Sequence, residues 1–575
     1  MKTTLPEKFI EEIVKRIKQE KPDKKQLNKI KLELSSKYNL KEIPKNIELM
    51  LNIPVSELEE VKRYLTMKEV RTGSGVAVIA LMSKPIKCPH GKCIMCPGGP
   101  ESYFGYVPQS YTGKEPATRR ALRNKYDPYF QIFNRLEHYV VMGQSPQKVE
   151  MIIMGGTFPS FPKDYKKDFI RNCFKAMNDF SDLVYDSKGS LQLNKFKEFF
   201  ELPGKVGSKE RVKKIHKRLQ KKKNENIISL KEEQKRNEKS NIRNVALCIE
   251  TRPDYCKEEH INEMLEFGTT RVELGVQSTK DSVLKKMQRG HTVKDSIEAT
   301  ELMKDSFLKV TYHMMPGFIK GFHKGSLNDE LNDLMEIITN PDFRPDALKI
   351  YPALVIKGTE LYELWKKGKF EPLNTEEAIK LIKEFKQNIP KYMRIMRVQR
   401  DIPVQRVEAG VKKTNLRQMI RKEMKKENIE CNCIRCREPF LSEKYKNKKT
   451  DFDDVKILTK EYDASSGKEI FISAEDVKNN ILLGFCRLRI NNLKNKKTAG
   501  IRELHVYGSA LGLQKRKEES IQHKGYGKKL LKKAEEIAKN KYDVKKLYVI
   551  SGVGVREYYR NLGYKQDGVY MSREL

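Results

Sequence analysis

The run Cys88-Pro-His-Gly-Lys-Cys93-Ile-Met-Cys96, continuing into Pro97-Gly98-Gly99-Pro100, constrains this chain more than any other stretch. Three thiols within nine residues, interleaved with glycine and proline, suit a loop folded around a metal rather than a helix or strand. Three cysteine ligands leave one iron of a [4Fe–4S] cube without a protein ligand, open to a substrate or cofactor. A structural zinc normally needs a fourth protein ligand, and His90 lies too close to Cys88 to supply it comfortably. On these nine residues alone, a zinc loop or an incidental cysteine cluster stays open.

With 575 residues the chain is too long for one core, so three or four domains are expected. A formal charge of +38 points to a polyanionic partner, and nucleic acid is the expectation. Ten cysteines, mostly in two tight clusters, read as metal ligands in a reducing compartment rather than as a disulfide framework. No apolar run approaches the about 20 residues of a membrane span, and the first residues lead into no signal-peptide core. The expectation is a soluble cytoplasmic protein with no membrane partner.

Residues 1–74 read as basic helices, with Phe9, Ile10, Ile13, Val14 and Ile17 forming an apolar stripe and prolines dividing the segments. A solvated appendage and a nucleic-acid-binding extension fit equally well, and the overall charge tilts the reading toward binding. From Gly75 the pattern changes. Apolar runs at Val76–Met82, Val149–Met154, Asn244–Ile249, Arg271–Val276, Lys309–Met314 and Ala347–Leu354 alternate with helical segments. The helices are Tyr165–Met177, Lys257–Phe267, Thr292–Phe307 and Leu327–Ile338. Such alternation predicts parallel βα units, here a partial TIM-like barrel over residues 75–390 with its chemistry at the carboxyl ends of the strands.

Unusual residues fall at those ends: Met154-Gly155-Gly156-Thr157, Glu250-Thr-Arg-Pro-Asp254, Gly275-Val-Gln277-Ser278 and His313-Met-Met-Pro-Gly317. One glycine pair would mark no more than a turn. Four such ends downstream of an open-cluster loop resemble the radical S-adenosylmethionine (SAM) superfamily. That resemblance implies that Gly155, Gly156 and Thr157 contact the methionine amino group of SAM, and that Glu250 and Gln277 lie near its adenosyl moiety. The cysteine spacing, Cys-x4-Cys-x2-Cys, is one residue longer than the superfamily's usual form and belongs to few subfamilies.

Soon after the loop, Tyr111 and Lys114 precede Arg119, Arg120 and Arg123, interleaved with Tyr126, Tyr129 and Phe130. Cations beside aromatic platforms suit an RNA groove, and an ordinary amphipathic barrel helix is the bland alternative. Residues 204–240 hold 14 Lys or Arg against 5 Glu and read as an exposed insertion without catalysis, part of a longer excursion at about 185–240. Beyond the barrel, Cys431, Cys433 and Cys436 suggest a zinc staple in a linker over 391–455, completed by a distant His or Cys. A second Fe–S cluster is the alternative.

The segment 456–575 forms another unit. Strands at Ile481–Ile490 and Ile501–Tyr507, the latter holding His505 and Val506 as candidate cofactor contacts, precede Gln522-His523-Lys524-Gly525-Tyr526-Gly527 and a helix opening at Lys528. Strand, glycine turn and helix make a pyrophosphate cradle. With the later Val555–Tyr564 segment, the turn resembles the two acyl-CoA motifs of GNAT acetyltransferases. The resemblance implies that Tyr558 or Tyr559 lies near the thioester sulfur, where a phenol can protonate the leaving thiolate. Two core tyrosines would be the plain alternative.

A radical SAM barrel joined to a GNAT domain on one basic chain resembles the family of Elongator catalytic subunits, tRNA wobble-uridine-modifying enzymes. The resemblance covers roughly residues 75–575, through Cys88-Pro-His, Tyr111-Thr-Gly, Glu250-Thr-Arg-Pro-Asp-Tyr-Cys256, Gly290-His-Thr-Val, Leu348-Lys-Ile-Tyr-Pro, Val398-Gln-Arg-Asp-Ile-Pro and Arg502-Glu-Leu-His-Val-Tyr-Gly. It implies a [4Fe–4S] cluster, SAM and acetyl-CoA, with zinc added by the linker cysteines. It also implies an anticodon stem-loop of tRNA as substrate, and no need for other Elongator subunits. The reaction the resemblance implies is one in which a 5′-deoxyadenosyl radical takes a hydrogen from the acetyl methyl group, the carbon radical adds to C5 of the wobble uridine, and thioester hydrolysis leaves 5-carboxymethyluridine. Lys349, at a strand end, and Lys114 are placed against RNA or substrate by position. A protein-lysine acetyltransferase would use the GNAT domain alone, and a non-catalytic tRNA-binding protein would contradict the intact cysteine loop and turn. A radical SAM methylthiotransferase gives no use for an acyl-CoA domain.

Overall fold

The computed structural model describes residues 5–66, 75–204, 208–323, 325–442, 454–493, 496–508 and 525–575. Seven parallel strands in chain order form the first sheet: β1 (Ala77–Met82), β2 (Lys148–Met154), β3 (Arg243–Thr251), β4 (Arg271–Gln277), β5 (Lys309–Met314), β6 (Ala347–Ile350) and β7 (Arg394–Arg397). β1 and β7 are its edges, so the barrel is partial, as expected. The seventh strand lies beyond the predicted end of the barrel at residue 390. Four residues interleaved with arginine carry too little apolar signal to be read as a strand.

Successive side chains of a strand point to opposite faces, and here the faces differ sharply. Ile79, Leu81, Met151, Ile153, Val272, Leu274, Val310 and Tyr312 are buried in the main core beneath the surrounding helices. The alternate set, Glu150, Arg271, Glu273, Lys309, His313 and Lys349, lines the lumen. A closed barrel normally fills that space with branched apolar side chains; this one fills it with charge.

The N-terminal helices Glu7–Glu20, Lys24–Lys37, Asn46–Asn52 and Val55–Leu65 bury the predicted Phe9–Ile17 stripe against Leu27, Ile30, Leu34, Leu49 and Val61. The Lys-rich insertion is not the exposed excursion expected. Its helix Leu230–Lys239 buries Glu233 and Asn237 and binds Asn178 of the helix Lys163–Val184. The charge count hid this because the buried polar atoms pair with one another. Glu238, on the same helix, accepts Arg556 Nη1 at 3.1 Å and Arg560 Nη1 at 2.7 Å from the far end of the chain.

The second sheet runs β8 (Val455–Ala464), β9 (Gly467–Asp476), β10 (Ile481–Leu493), β11 (Lys496–Val506), β12 (Lys546–Val549), β13 (Lys565–Asp567) and β14 (Tyr570–Glu574), in spatial order β8-β9-β10-β11-β12-β14-β13. The first four strands are antiparallel. The helix Tyr526–Tyr542 then carries the chain over so that β12 lies parallel to β11. That pairing covers only Ala499–Ile501 against Leu547–Val549, while β11 runs on to Val506, so the two strands part and leave a wedge.

This sheet stands on the N-terminal end of the barrel. Asp346, just ahead of β6, accepts Arg502 Nη2 at 2.6 Å and Nη1 at 2.9 Å, and Arg502 also reaches Glu469 at 2.9 Å. Arg489 joins Glu469 (3.1 Å) to Asp305 (3.0 Å). Phe307 lies over Gly500, where a Cβ would fall 2.3 Å from the ring, so only glycine fits. Burial opposes ionisation of Asp346, but Arg502 and Arg487 overcome it and hold the carboxyl well below its usual range. Replacing Asp346 by alanine takes a shared carboxylate from two buried guanidinium groups, leaving Arg502 with Glu469 and Arg487 with Glu503, and should cost about 3 kcal/mol in urea unfolding. Because the folded value is depressed, this contribution is complete above the unfolded carboxyl value. The difference between the two proteins should therefore hold from pH 8 to about 5 and narrow as the pH falls further.

Candidate active site

Chemistry-bearing side chains meet at the carboxyl ends of the barrel strands. The loop after β1 brings in three cysteines, with Cys93 and Cys96 buried and Cys88 half-buried. Cys96 Sγ accepts the Ser110 N–H at 3.2 Å, Cys93 Sγ accepts Arg289 Nη1 at 3.4 Å, and the Thr157 hydroxyl donates to Cys88 Sγ at 3.6 Å. Burial pushes the Cys96 thiol up to about 11 and raises Cys88, so a bound metal is what would hold them as thiolates. Among the described residues, the trios close enough to grip a single ion are Cys431/Cys433/Cys436 and Glu250/Glu273/His313. The three loop cysteines stand further apart, which suits a cluster rather than one ion.

Glycines make room beside that loop. Gly155 and Gly156 follow β2 at φ +119° and +113°, and a Cβ on Gly155 would fall 2.6 Å from Ser83 Oγ. Gln277, ending β4, holds φ +72° without being glycine, a conformation that costs about 1–3 kcal/mol and collects at functional sites. Thr251 Oγ1, Arg252 Nη1 and Gln277 Oε1 are buried without a partner around the same cavity. Buried polar atoms in that state call for a polar ligand, and the donor and acceptor set suits SAM.

Deeper in, Glu273 is fully buried and accepts Arg271 Nη1 at 2.6 Å and His313 Nε2 at 2.9 Å, with the Lys349 ammonium bonded to the same oxygen as His313. Lys349 also stands 3.6 Å from Glu250, which accepts the Tyr111 hydroxyl at 3.3 Å. Burial opposes the charge on Lys349, yet Glu273 outweighs it and keeps the ammonium protonated. Burial and then Lys349 push the His313 imidazole down, so it is neutral at physiological pH. Glu273 and Arg271 are not anticipated from the sequence as site residues, and His313 enters there only as the start of a strand-end run with no role assigned. The signal was present: in Arg271-Val-Glu273-Leu-Gly275-Val-Gln277 every second residue is polar or glycine, a stripe on one strand face.

A cavity of about 1270 Å³ links this centre to the second sheet. It runs from Cys88, Cys93 and Cys96 past Lys349 to His505 and Tyr559, with both sides of the β11–β12 wedge in its wall. Typical small-molecule sites occupy about 300–1,000 Å³, so there is room for more than one ligand. At the wedge, Gly525 (φ +75°) caps the helix Tyr526–Tyr542, and the Tyr558 hydroxyl lies 3.1 Å from where a Cβ of Gly527 would stand. Tyr526 is a core residue, so its backbone alone can serve a phosphate, whereas Lys528 is exposed. Tyr559 is buried edge-on to Tyr558, and burial raises both phenols, leaving them protonated. Gln522, His523 and Lys524 lie outside the described residues.

The expected RNA face is divided. Lys114, Arg119 and Arg123 are exposed. Arg120 is buried and donates to the Ala80 carbonyl, and Tyr111 turns inward to Glu250. Tyr126, Tyr129 and Phe130 are core side chains, not stacking platforms: Tyr126 packs with Met82 of β1, Tyr129 donates to Asp179 of the helix Lys163–Val184, and Phe130 stacks on His216 of the insertion. In the linker, Cys431, Cys433 and Cys436 converge with the buried Lys386 ammonium 3.5 Å from Cys436 Sγ. Among the described residues, no distant His or Cys joins them as a fourth ligand.

Comparison with known proteins places the chain among relatives. It matches the ELP3 N-terminal domain over residues 7–73, the Radical SAM superfamily over 84–321, the Radical_SAM C-terminal domain over 345–426 and the Acetyltransferase (GNAT) family over 435–564. A tRNA uridine(34) acetyltransferase of Methanocaldococcus infernus is 46% identical over 583 residues, covering 100% of both chains. Elongator complex protein 3 of Saccharomyces cerevisiae is 39% identical, covering 96% of this chain and 92% of its own. The solved archaeal M. infernus Elp3 with residues 1–46 deleted superposes with TM-score 0.69 at 43% identity, over 87% of this chain and 100% of that one.

Removing the Lys349 charge should release His313 beside Glu273. In Lys349→Met the His313 imidazole is expected to titrate at higher pH than in the wild type, read by histidine NMR; an unmoved titration would show that the two do not interact.

Proposed function

The chain belongs to the family of tRNA uridine(34) acetyltransferases and Elongator complex protein 3, and we propose that it joins an acetyl-derived carboxymethyl group to C5 of the wobble uridine of tRNA within one continuous cavity. It is a radical SAM acyltransferase. When bound, a [4Fe–4S] cluster with SAM supplies one-electron chemistry able to attack an inert C–H bond. The observation that carries the reading is the cavity itself, which opens the cysteine loop and the β11–β12 wedge to each other through the barrel lumen.

Each residue then has a task. Cys88, Cys93 and Cys96 hold the cluster, while Gly155, Gly156, Thr157, Glu250 and Gln277 hold SAM. Gly525–Lys528, with Gln522, His523 and Lys524 ahead of them in the sequence, hold the pyrophosphate of acetyl-CoA, with Tyr558 against Gly527 and Tyr559 in the cavity wall. Lys349, kept charged between Glu273 and Glu250, steadies negative charge at the barrel mouth. Zinc on Cys431, Cys433 and Cys436 would staple the linker, with Lys386 easing the thiolate charge. A protein-lysine acetyltransferase would need its acyl site open to a peptide; here that site faces the lumen. No described helix is long and apolar enough to cross a membrane.

The anticodon stem-loop approaches along the exposed Lys114, Arg119 and Arg123. Each phosphate contact removed should lower the salt slope of tRNA affinity by about 1, so the triple change to alanine should lower it by about 3, and Arg120→Ala should leave it unchanged. For the reaction, the purified chain is reconstituted anaerobically and given SAM, dithionite, acetyl-CoA and tRNA. Nucleoside mass spectrometry should show 5-carboxymethyluridine, lost in Cys88→Ser, Cys93→Ser and Cys96→Ser. Product that persists without the cysteines would overturn the reading.

A further inference from the structure

Joining the two-carbon unit to RNA leaves it attached to CoA, so the reaction read above also needs a thioester hydrolysed. That step requires a proton acceptor near the acyl carbon. Among the described residues, the wedge between β11 and β12 holds a side chain suited to it.

His505 lies on the stretch of β11 beyond Ile501, where the β12 pairing has ended. Its ring is held parallel to Phe485, 11° between planes at 6.0 Å, and against Tyr507 at 4.5 Å. It shares a strand face with Glu503 and Tyr507, the face turned toward the barrel. Both neighbours are engaged: Glu503 by Lys309 and by Arg487 at 2.9 Å, and the Tyr507 hydroxyl by Arg394 at 3.0 Å. His505 Nε2 is buried without a partner in the cavity wall. The phenols of Tyr558 and Tyr559 stay protonated and can donate but not accept. Burial, set against Glu503, holds the His505 imidazole down at about 4, so it is neutral at working pH.

We propose that His505 Nε2 takes a proton from the water that hydrolyses the RNA-linked acyl-CoA thioester and returns it to the departing sulfur. The water oxygen bonds to the carbonyl carbon as its proton passes to the ring. The C–S bond then breaks with its electron pair on sulfur, and the imidazolium gives that sulfur its proton. Thioester and water become carboxylic acid and thiol, and the ring ends neutral; no oxidant or reductant is consumed.

The inference rests on the reading under Proposed function, and the test separates the two. Full-length protein with its cluster reconstituted is compared with His505→Gln and His505→Ala, supplied with SAM, reductant, acetyl-CoA and tRNA. Both variants should make 5′-deoxyadenosine within about twofold of wild type, while CoA release on modified RNA falls about 100-fold, the usual weight of a general base. RNA carrying covalent CoA should accumulate by mass spectrometry, and added imidazole should restore CoA release to His505→Ala. Calorimetric affinity for a thioether analogue of acetyl-CoA, which cannot be hydrolysed, should stay at the wild-type value. CoA release that keeps pace with 5′-deoxyadenosine, whether both fall or neither does, would overturn the assignment, as would loss of analogue affinity in both variants. Wild-type protein that forms no 5′-deoxyadenosine with RNA and acetyl-CoA would instead sink the proposed function.

Discussion

A cluster of carboxylates and arginines sealed from water seats the second sheet on the N-terminal end of the barrel. Asp346 comes from the barrel, Glu469 from β9 and Arg502 from β11, and all three side chains are almost fully buried. Burying such charges is expensive in isolation and is tolerated where every lone pair and proton is met. Here the geometry is two-pronged: the Arg502 guanidinium meets both Asp346 oxygens, and Asp346 also accepts the Val310 amide. Planar, bidentate contacts fix orientation as well as distance. An apolar seam could slide; this one has a single register, and on that register depends the alignment of the wedge with the lumen.

The lumen is the second unusual feature. Strand alternation would ordinarily fill a barrel with apolar layers. In this chain Arg271 bridges Glu150 and Glu273, and Glu273 in turn holds His313 and Lys349. The chain of contacts is continuous, so neutralising one member alters the field felt by the next. Lys309 and Glu503 close the lower end of the same space, one from each domain. The barrel thereby serves as a lined passage between two chemistries, with its fold held by the apolar faces outside.

Much of this was legible in the sequence because local rules carry it. The cysteine loop, the glycines after β2 and the helix-capping turn announce themselves by residue type and spacing, and the apolar strand runs predicted six of the seven barrel strands. What escaped depends on which way a side chain turns. Tyr129 and Phe130 read as stacking platforms but face the core, where neighbouring helices, one of them from the insertion, cover them. Arg120 and Arg123 are one turn apart, and only Arg123 reaches solvent. The seventh strand, Arg394–Arg397, is short and basic, so its membership in the sheet follows from β6 rather than from its own residues. The buried partners of Lys349 sit on other strands, at distances along the chain that no motif spans.

The grip of Glu238 on Arg556 and Arg560 extends this dependence to a segment that composition marks as filler. Those arginines bracket Tyr558 and Tyr559, so the insertion helix is an outlying buttress of the acyl site. Truncating the Lys-rich excursion to tidy the barrel would leave two cations facing each other without their shared anion. Related chains that differ in the length of this excursion must then anchor the tyrosine-bearing helix by some other acid, or let it drift.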